Sequence, residues 1–135
     1  MIVNNITDNT ITKDVFVSIK RSIYVTLQVE GFHNFEKVLD FFPEVGFLKD
    51  RHRHMFHFKL YKRVKHNDRD VEFILFKREV QKYLHDKYGT PAEFGSQSCE
   101  MLALELAECF DCYMVDCSED NENGGIIEIS KAVMV

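Results

Sequence analysis

The sequence predicts an α+β domain in which two helices pack on one face of an antiparallel sheet. Three observations lead there: alternating apolar strands at both ends, two helical segments in the middle, and a core-forming supply of Phe, Leu, Ile and Val. Segregated strands and helices, rather than strict alternation of the two, mark this class. At 135 residues with 45% apolar content, the chain fits one domain, 1–135,. Its polar, Asn/Thr-rich start (1–13) is expected to be loosely held.

The stretch Val15–Glu30 is rich in β-branched and aromatic residues, and Val25, Leu27 and Val29 share one parity against Thr26, Gln28 and Glu30. That is a half-buried strand. Asn34–Phe42 carries Phe35, Val38 and Phe42 at helical spacing, with Asn34 as N-cap and Pro43 and Gly46 as the stop,. Residues 52–64 alternate again. His52, His54, Phe56, Phe58 and Leu60 point one way, and Arg53, Met55, His57, Lys59, Tyr61 and Arg63 the other,. A polar turn (66–70) follows. Residues 71–76 read equally as a short strand or the start of a helix, and 77–88 is helical by composition. A loop with Gly89, Pro91 and Gly95 leads to a second helix over Ser98–Phe110, striped by Leu102, Ala103, Leu106 and Ala107,. Cys112–Cys117 reads as a strand, 118–125 as a polar loop, and 126–135 as a closing strand. The order is strand, strand, helix, helix, strand, strand.

No apolar run approaches the roughly 20 residues of a membrane helix. The first residues lack the basic and apolar regions of a signal peptide, so a cytoplasmic protein with reduced cysteines is expected. The net charge of −5 argues against a dedicated nucleic-acid binder. It is unevenly spread: Lys49–Lys65 holds seven Lys/Arg and one acid, Asp50, so that segment carries +6 and the remainder −11. A basic ribbon on an acidic body suits an anionic ligand, a nucleic-acid face with interleaved aromatics, or merely a solvated strand.

His52 and His54 project to the same side of their strand. His33, at the end of the preceding strand, keeps the parity of Val25, Leu27 and Val29 if the chain stays extended through Gly31. Pairing of the two strands would bring three imidazoles together, and three neutral His with one open position is the ligand set of a catalytic zinc. The alternative is an ordinary strand-borne pair of histidines. Cys109-Phe110-Asp111-Cys112 has the CxxC spacing of a second metal site or a redox pair, but with no second pair it reads better as small hydrophobic cysteines at a helix–strand junction,.

VEGFHNF (29–35), HRHMF (52–56), SCEMLALEL (98–106) and the late strand with its acidic loop, in this order, resemble the 6-pyruvoyltetrahydropterin synthases and the 6-carboxytetrahydropterin synthases of queuosine biosynthesis. The resemblance spans most of 20–128. It implies a tunnelling fold (T-fold) that assembles through sheet edges into homo-trimers or hexamers. It also implies Zn²⁺ on His33, His52 and His54, and a lyase acting on a reduced pterin such as dihydroneopterin triphosphate. By the same resemblance, Ser98, Cys99 and Glu100 stand where the family holds the pterin. The pterin-anchoring Glu falls on Cys117 directly, or on Glu119 after a two-residue shift; a carboxylate there would grip a guanidine-like edge.

Two departures stand out. The family's catalytic cysteine position is Leu48, and the Glu that some relatives use is Lys49. Asp50 is the nearest carboxylate that could serve as base, and is equally half of a local ion pair with Lys49 or Arg51. The family's Asp-His pair is reversed here as His85-Asp86, which turns the imidazole by about 100° on a helix; His85 is equally a plain partner of the helix dipole. Ser98 is equally a helix N-cap. These departures leave a second reading, a non-catalytic descendant binding a pterin- or guanine-like ligand. A third is a basic-strand interaction module.

Overall fold

The computed structural model describes residues 2–8 and 11–132. Strands β1 (Ile2–Asp8) and β2 (Ile11–Phe16) form a two-stranded antiparallel ribbon. The main sheet has five strands: β3 (Arg21–His33), β4 (His52–Val64), β5 (Ala92–Gly95), β6 (Met114–Glu119) and β7 (Asn123–Glu128), in the spatial order β5-β3-β4-β6-β7. Helices α1 (Val38–Phe41), α2 (Phe73–Tyr88) and α3 (Cys99–Cys109) complete the fold. It is α+β. No helix among the described residues is long and apolar enough to cross a membrane.

The long β3–β4 pair organises everything else. Its register sets Val25 opposite Leu60, Leu27 opposite Phe58 and Val29 opposite Phe56. The same side continues as Gly31 opposite His54 and His33 opposite His52. The apolar members of this face meet Phe76, Val80 and Leu84 of α2 and Leu102, Ala103, Leu106 and Ala107 of α3 in one core. The histidines are the continuation of the core face past the end of the core. At Gly31 a Cβ would stand 2.6 Å from the Phe94 ring, so only glycine lets β5 close over the strand here,. The other face carries the basic ribbon, and its charges are matched locally. Arg53 pairs with Glu30 at 3.2 Å, Lys59 lies 4.4 Å above the Tyr24 ring, and Arg63 lies 3.7 Å above Tyr113,.

Several elements depart from the sequence expectation. The sheet is mixed rather than antiparallel, because β5 runs parallel to β3. Four residues that follow Pro91 and end on Gly95 are too short to show alternation, so this strand reads as loop. The expected strand Val15–Glu30 is two strands, with residues 17–20 outside both, and the first belongs to the separate ribbon. The helix expected over Asn34–Phe42 shrinks to α1. Pro43 does not end helical structure but begins 3₁₀ turns over Pro43–Lys49, where its missing N–H has no partner to lose,. Of residues 71–76, those from Phe73 on start α2, capped by the Glu72 side chain accepting from Leu75 N–H at 2.8 Å. The last strand begins inside the expected acidic loop and ends at Glu128; residues 129–132 are not strand, and 133–135 of the expected strand lie outside the described residues.

One polar cluster ties α2 to α3. The half-buried Glu105 carboxylate accepts from Tyr83 at 2.6 Å, Tyr88 at 2.5 Å and Lys87 at 3.0 Å. Burial pushes this carboxyl up, but the Tyr83, Tyr88 and Lys87 donors outweigh it and hold the group below its ordinary 4.5. A depressed folded value means stability that is present above pH 4.5 and lost as pH falls through that value. Glu105→Gln should therefore cost about 1–2 kcal/mol at neutral pH. In urea titrations the gap between wild type and variant should narrow once the pH drops below 4.5.

Candidate metal centre

His33, His52 and His54 converge: one ring nitrogen from each lies within 4.8 Å of the others. The ring centroids are 4.6 Å (His33–His52), 5.3 Å (His33–His54) and 4.9 Å (His52–His54) apart, all near edge-to-face. Phe56 is fully buried beneath them, its ring 5.0 Å from His33 and 5.8 Å from His54. This is an apolar floor under a polar ring.

The opposite nitrogens are all engaged. His33 Nδ1 donates to the Gln97 carbonyl at 3.0 Å, His52 Nδ1 to the Asp50 carbonyl at 2.8 Å, and His54 Nδ1 to Asp120 Oδ2 at 2.7 Å. A donor at Nδ1 fixes the proton there and leaves the Nε2 lone pair free, the orientation that metal-binding histidines adopt. His54 Nε2 is buried and has no hydrogen-bond partner. A buried ring nitrogen with no partner is costly unless a cation meets it. The donor set therefore fits a divalent metal, and a nitrogen-rich set of this kind suits zinc among the common ions.

Local structure explains these partners. Asp50 closes the 3₁₀ turns in an extended conformation, which turns its carbonyl toward His52. The chain from Asn34 to Asp50 is pinned beside the sheet by Phe35 N–H to the Leu48 carbonyl at 2.7 Å and Asn34 N–H to the Gly95 carbonyl at 2.9 Å. Asp120 and Asn121 both sit at positive φ (56° and 59°) in the β6–β7 turn, closed by Glu122 N–H to the Glu119 carbonyl. That backbone favours Asp and Asn and suits the twist of a hairpin. Asp120 is clamped there by Met55 N–H at 2.9 Å. Met55 N–H and the His54 ring hold its carboxyl below the usual carboxylate range.

A cavity of about 390 Å³ opens beside His33 and His52, bounded by Leu48, Ser98, Cys99, Glu100, Glu119 and Gln97 among others. The volume suits one small heterocycle. Glu119 faces the imidazoles, with Oε1 3.0 Å from His33 Nε2 and Oε2 3.3 Å from His54 Nε2. The His33 contact holds its carboxyl below the ordinary range against the opposing effect of burial. Burial pulls His33 down, yet Glu119 and the Gln97 carbonyl outweigh it and raise its pKa. Cys117 is wholly buried in the core, whereas Cys99 stands at the cavity wall with its sulfur 4.0 Å from Glu119. The Cys117 thiol, hydrogen-bonded to Cys99 and buried, is pushed far up, and Cys99 is held below its ordinary value.

The remaining residues singled out in the sequence are placed as follows. Ser98 caps α3, accepting from Met101 N–H at 3.2 Å, and also borders the cavity. Leu48 borders it too, an apolar group where the resembling family has its cysteine. Asp50 reaches the histidines through its backbone, not its carboxylate, and Arg51 pairs with Glu93 instead. His85 and Asp86 are not brought to this cavity within one chain. His85 binds Thr90 Oγ1 at 2.6 Å beside a separate groove, and Asp86 pairs with Lys82 on the helix surface. All four cysteines are free thiols; Cys109 is exposed and Cys112 buried, so the CxxC pair does not share a surface.

Gln97 and Asp120 escaped the sequence reading. Asp-Asn in a polar loop does signal a left-handed turn, but which imidazole it meets depends on the β4–β6 register. No family model matches this chain, and no curated protein matches it. Fold and geometry define an α+β domain with a three-histidine, metal-competent cluster at the end of its core face.

Proposed function

We propose that this chain is a divergent member of the 6-pyruvoyl/6-carboxytetrahydropterin synthase family, a T-fold protein holding Zn²⁺ on His33, His52 and His54. In this reading a reduced pterin, or a related purine-derived heterocycle, occupies the adjoining cavity. The observation that carries it is the Nδ1 anchoring of all three rings, which aims three Nε2 lone pairs at one place,. Bound zinc would supply Lewis-acid polarisation of a substrate oxygen. Around it, Ser98 and Glu100 offer polar groups on the cavity wall, and Glu119 is the carboxylate within reach of a guanidine-like edge,. Exposed Phe41, Phe42, Phe47 and the Phe73–Leu75 run favour assembly as a homo-oligomer, trimer or hexamer,.

A second reading, binding without turnover, is favoured by Leu48 and by the placing of His85 beside a different groove. Leucine can neither give nor take a proton. Incubation with dihydroneopterin triphosphate separates the two: side-chain elimination or cleavage supports the lyase, while calorimetric binding with unchanged ligand supports the binder. Absence of both binding and turnover in zinc-loaded protein contradicts the pterin assignment.

The carboxylate behind His54 gives a further test. Asp120→Asn keeps the shape but weakens the acceptor that orients this ring. Zinc affinity, measured by competition with a chromophoric chelator, should fall about 10–100-fold with the fold unchanged by circular dichroism.

A further inference from the structure

We infer that Glu119 is a fourth protein ligand of the metal, so that the centre in the ligand-free protein is closed, His₃Glu, rather than open. The inference rests on the zinc reading above and deepens it. Glu119 lies on the core-facing parity of β6, after Val115 and Cys117, and its backbone is in register with Phe56, two residues from His54. The strand therefore delivers the carboxylate to the imidazoles.

The contact at His54 is what points to a cation. Each histidine spends its Nδ1 proton on Gln97, Asp50 or Asp120. His33 Nε2 meets Glu119 as a hydrogen-bonded ion pair, whereas a His54 ring so fixed presents a lone pair at Nε2, and a carboxylate presents only lone pairs,. At His54 two acceptors therefore face each other. At His54 the contact is close, 3.3 Å, yet is not a hydrogen bond, so a proton shared along that line does not explain it. Four ligands placed about 2.0–2.1 Å from a tetrahedral zinc stand about 3.3 Å from one another. Glu119 Oε1 is 3.0 Å from His33 Nε2 and Oε2 is 3.3 Å from His54 Nε2, so each oxygen stands about one such edge from one imidazole. A closed four-ligand shell is the arrangement of zinc sites that hold their ion firmly and keep water off it. A ligand entering the cavity then has to displace Glu119 before it can touch the metal.

Cobalt(II) in place of zinc reports the shell directly. In the wild-type protein the visible d–d bands should be unmoved by added thiocyanate. Glu119→Ala opens a position, so its bands should shift on titration with thiocyanate, and its zinc affinity should fall about a hundredfold or more. Glu119→Gln, close in shape, should show the same affinity loss. A wild-type cobalt spectrum that responds to thiocyanate overturns the inference, even if neither variant folds. So does unchanged zinc affinity in a folded Glu119→Gln. Failure of the wild-type chain to take up either metal is a different result: it removes the zinc centre itself.

Discussion

Phe56→Ala is expected to destabilise the protein by about 3–5 kcal/mol and to weaken metal binding together with the fold. Phe56 has no exposed surface and sits where β3, β4 and β5 press together, its ring edge-to-face with Phe94 at 4.8 Å. On its other side it supports His33 and His54. Truncation removes the transfer free energy of an aromatic ring and leaves a hole whose walls are strands, which collapse poorly. Phe56→Leu retains most of the volume and should cost about half as much or less. Chemical denaturation of the metal-free forms gives the stability term, and chelator competition then gives the metal term. A loss below about 1 kcal/mol for Phe56→Ala would mean that the core is not packed around this ring.

His33→Ala should reduce bound zinc from about one ion per chain to none under conditions that saturate wild type. Of the three rings His33 is the most enclosed, 8% exposed, and it contacts the other two rings, Phe56 and Glu119. Its loss leaves two imidazoles and a carboxylate, with Gln97 no longer tied to the site. Water can fill the vacated position, but without the binding free energy of an imidazole already held in place, so zinc affinity should fall steeply. Elemental analysis after gel filtration reads the outcome. Full zinc occupancy in His33→Ala would place the ion elsewhere in the chain.

The histidine cluster was legible because β3 and β4 obey a period of two over 13 residues each, and the parity that makes Val25, Leu27, Phe56 and Phe58 core also aims His33, His52 and His54,. Helix α3 was legible for a similar reason: Ser98 gives a cap and Leu102 to Ala107 an apolar stripe. Short elements were not. β5 has four residues and pairs with a strand 61–62 positions earlier, so neither alternation nor a local turn betrays it. The 3₁₀ turns after Pro43 are held by bonds from Asn34 and Phe35 across the sheet end, which no local pattern encodes. The partners of the imidazoles, the Gln97 and Asp50 carbonyls and the Asp120 carboxylate, follow from tertiary register. The composition of the loops does not encode them. Glu119 shows both sides of this: the family resemblance offers it, after a two-residue shift, as a ligand-holding carboxylate, but only the β4–β6 pairing sets it against His33 and His54.

Zinc-edge X-ray absorption on protein produced with zinc available tests the central claim most directly. The account predicts one tightly held ion per chain, with nitrogen and oxygen scatterers at about 2.0–2.1 Å and the outer-shell pattern of three imidazoles. A sulfur shell at about 2.3 Å, which would assign the ion to the cysteines, or protein that retains no zinc, would contradict it.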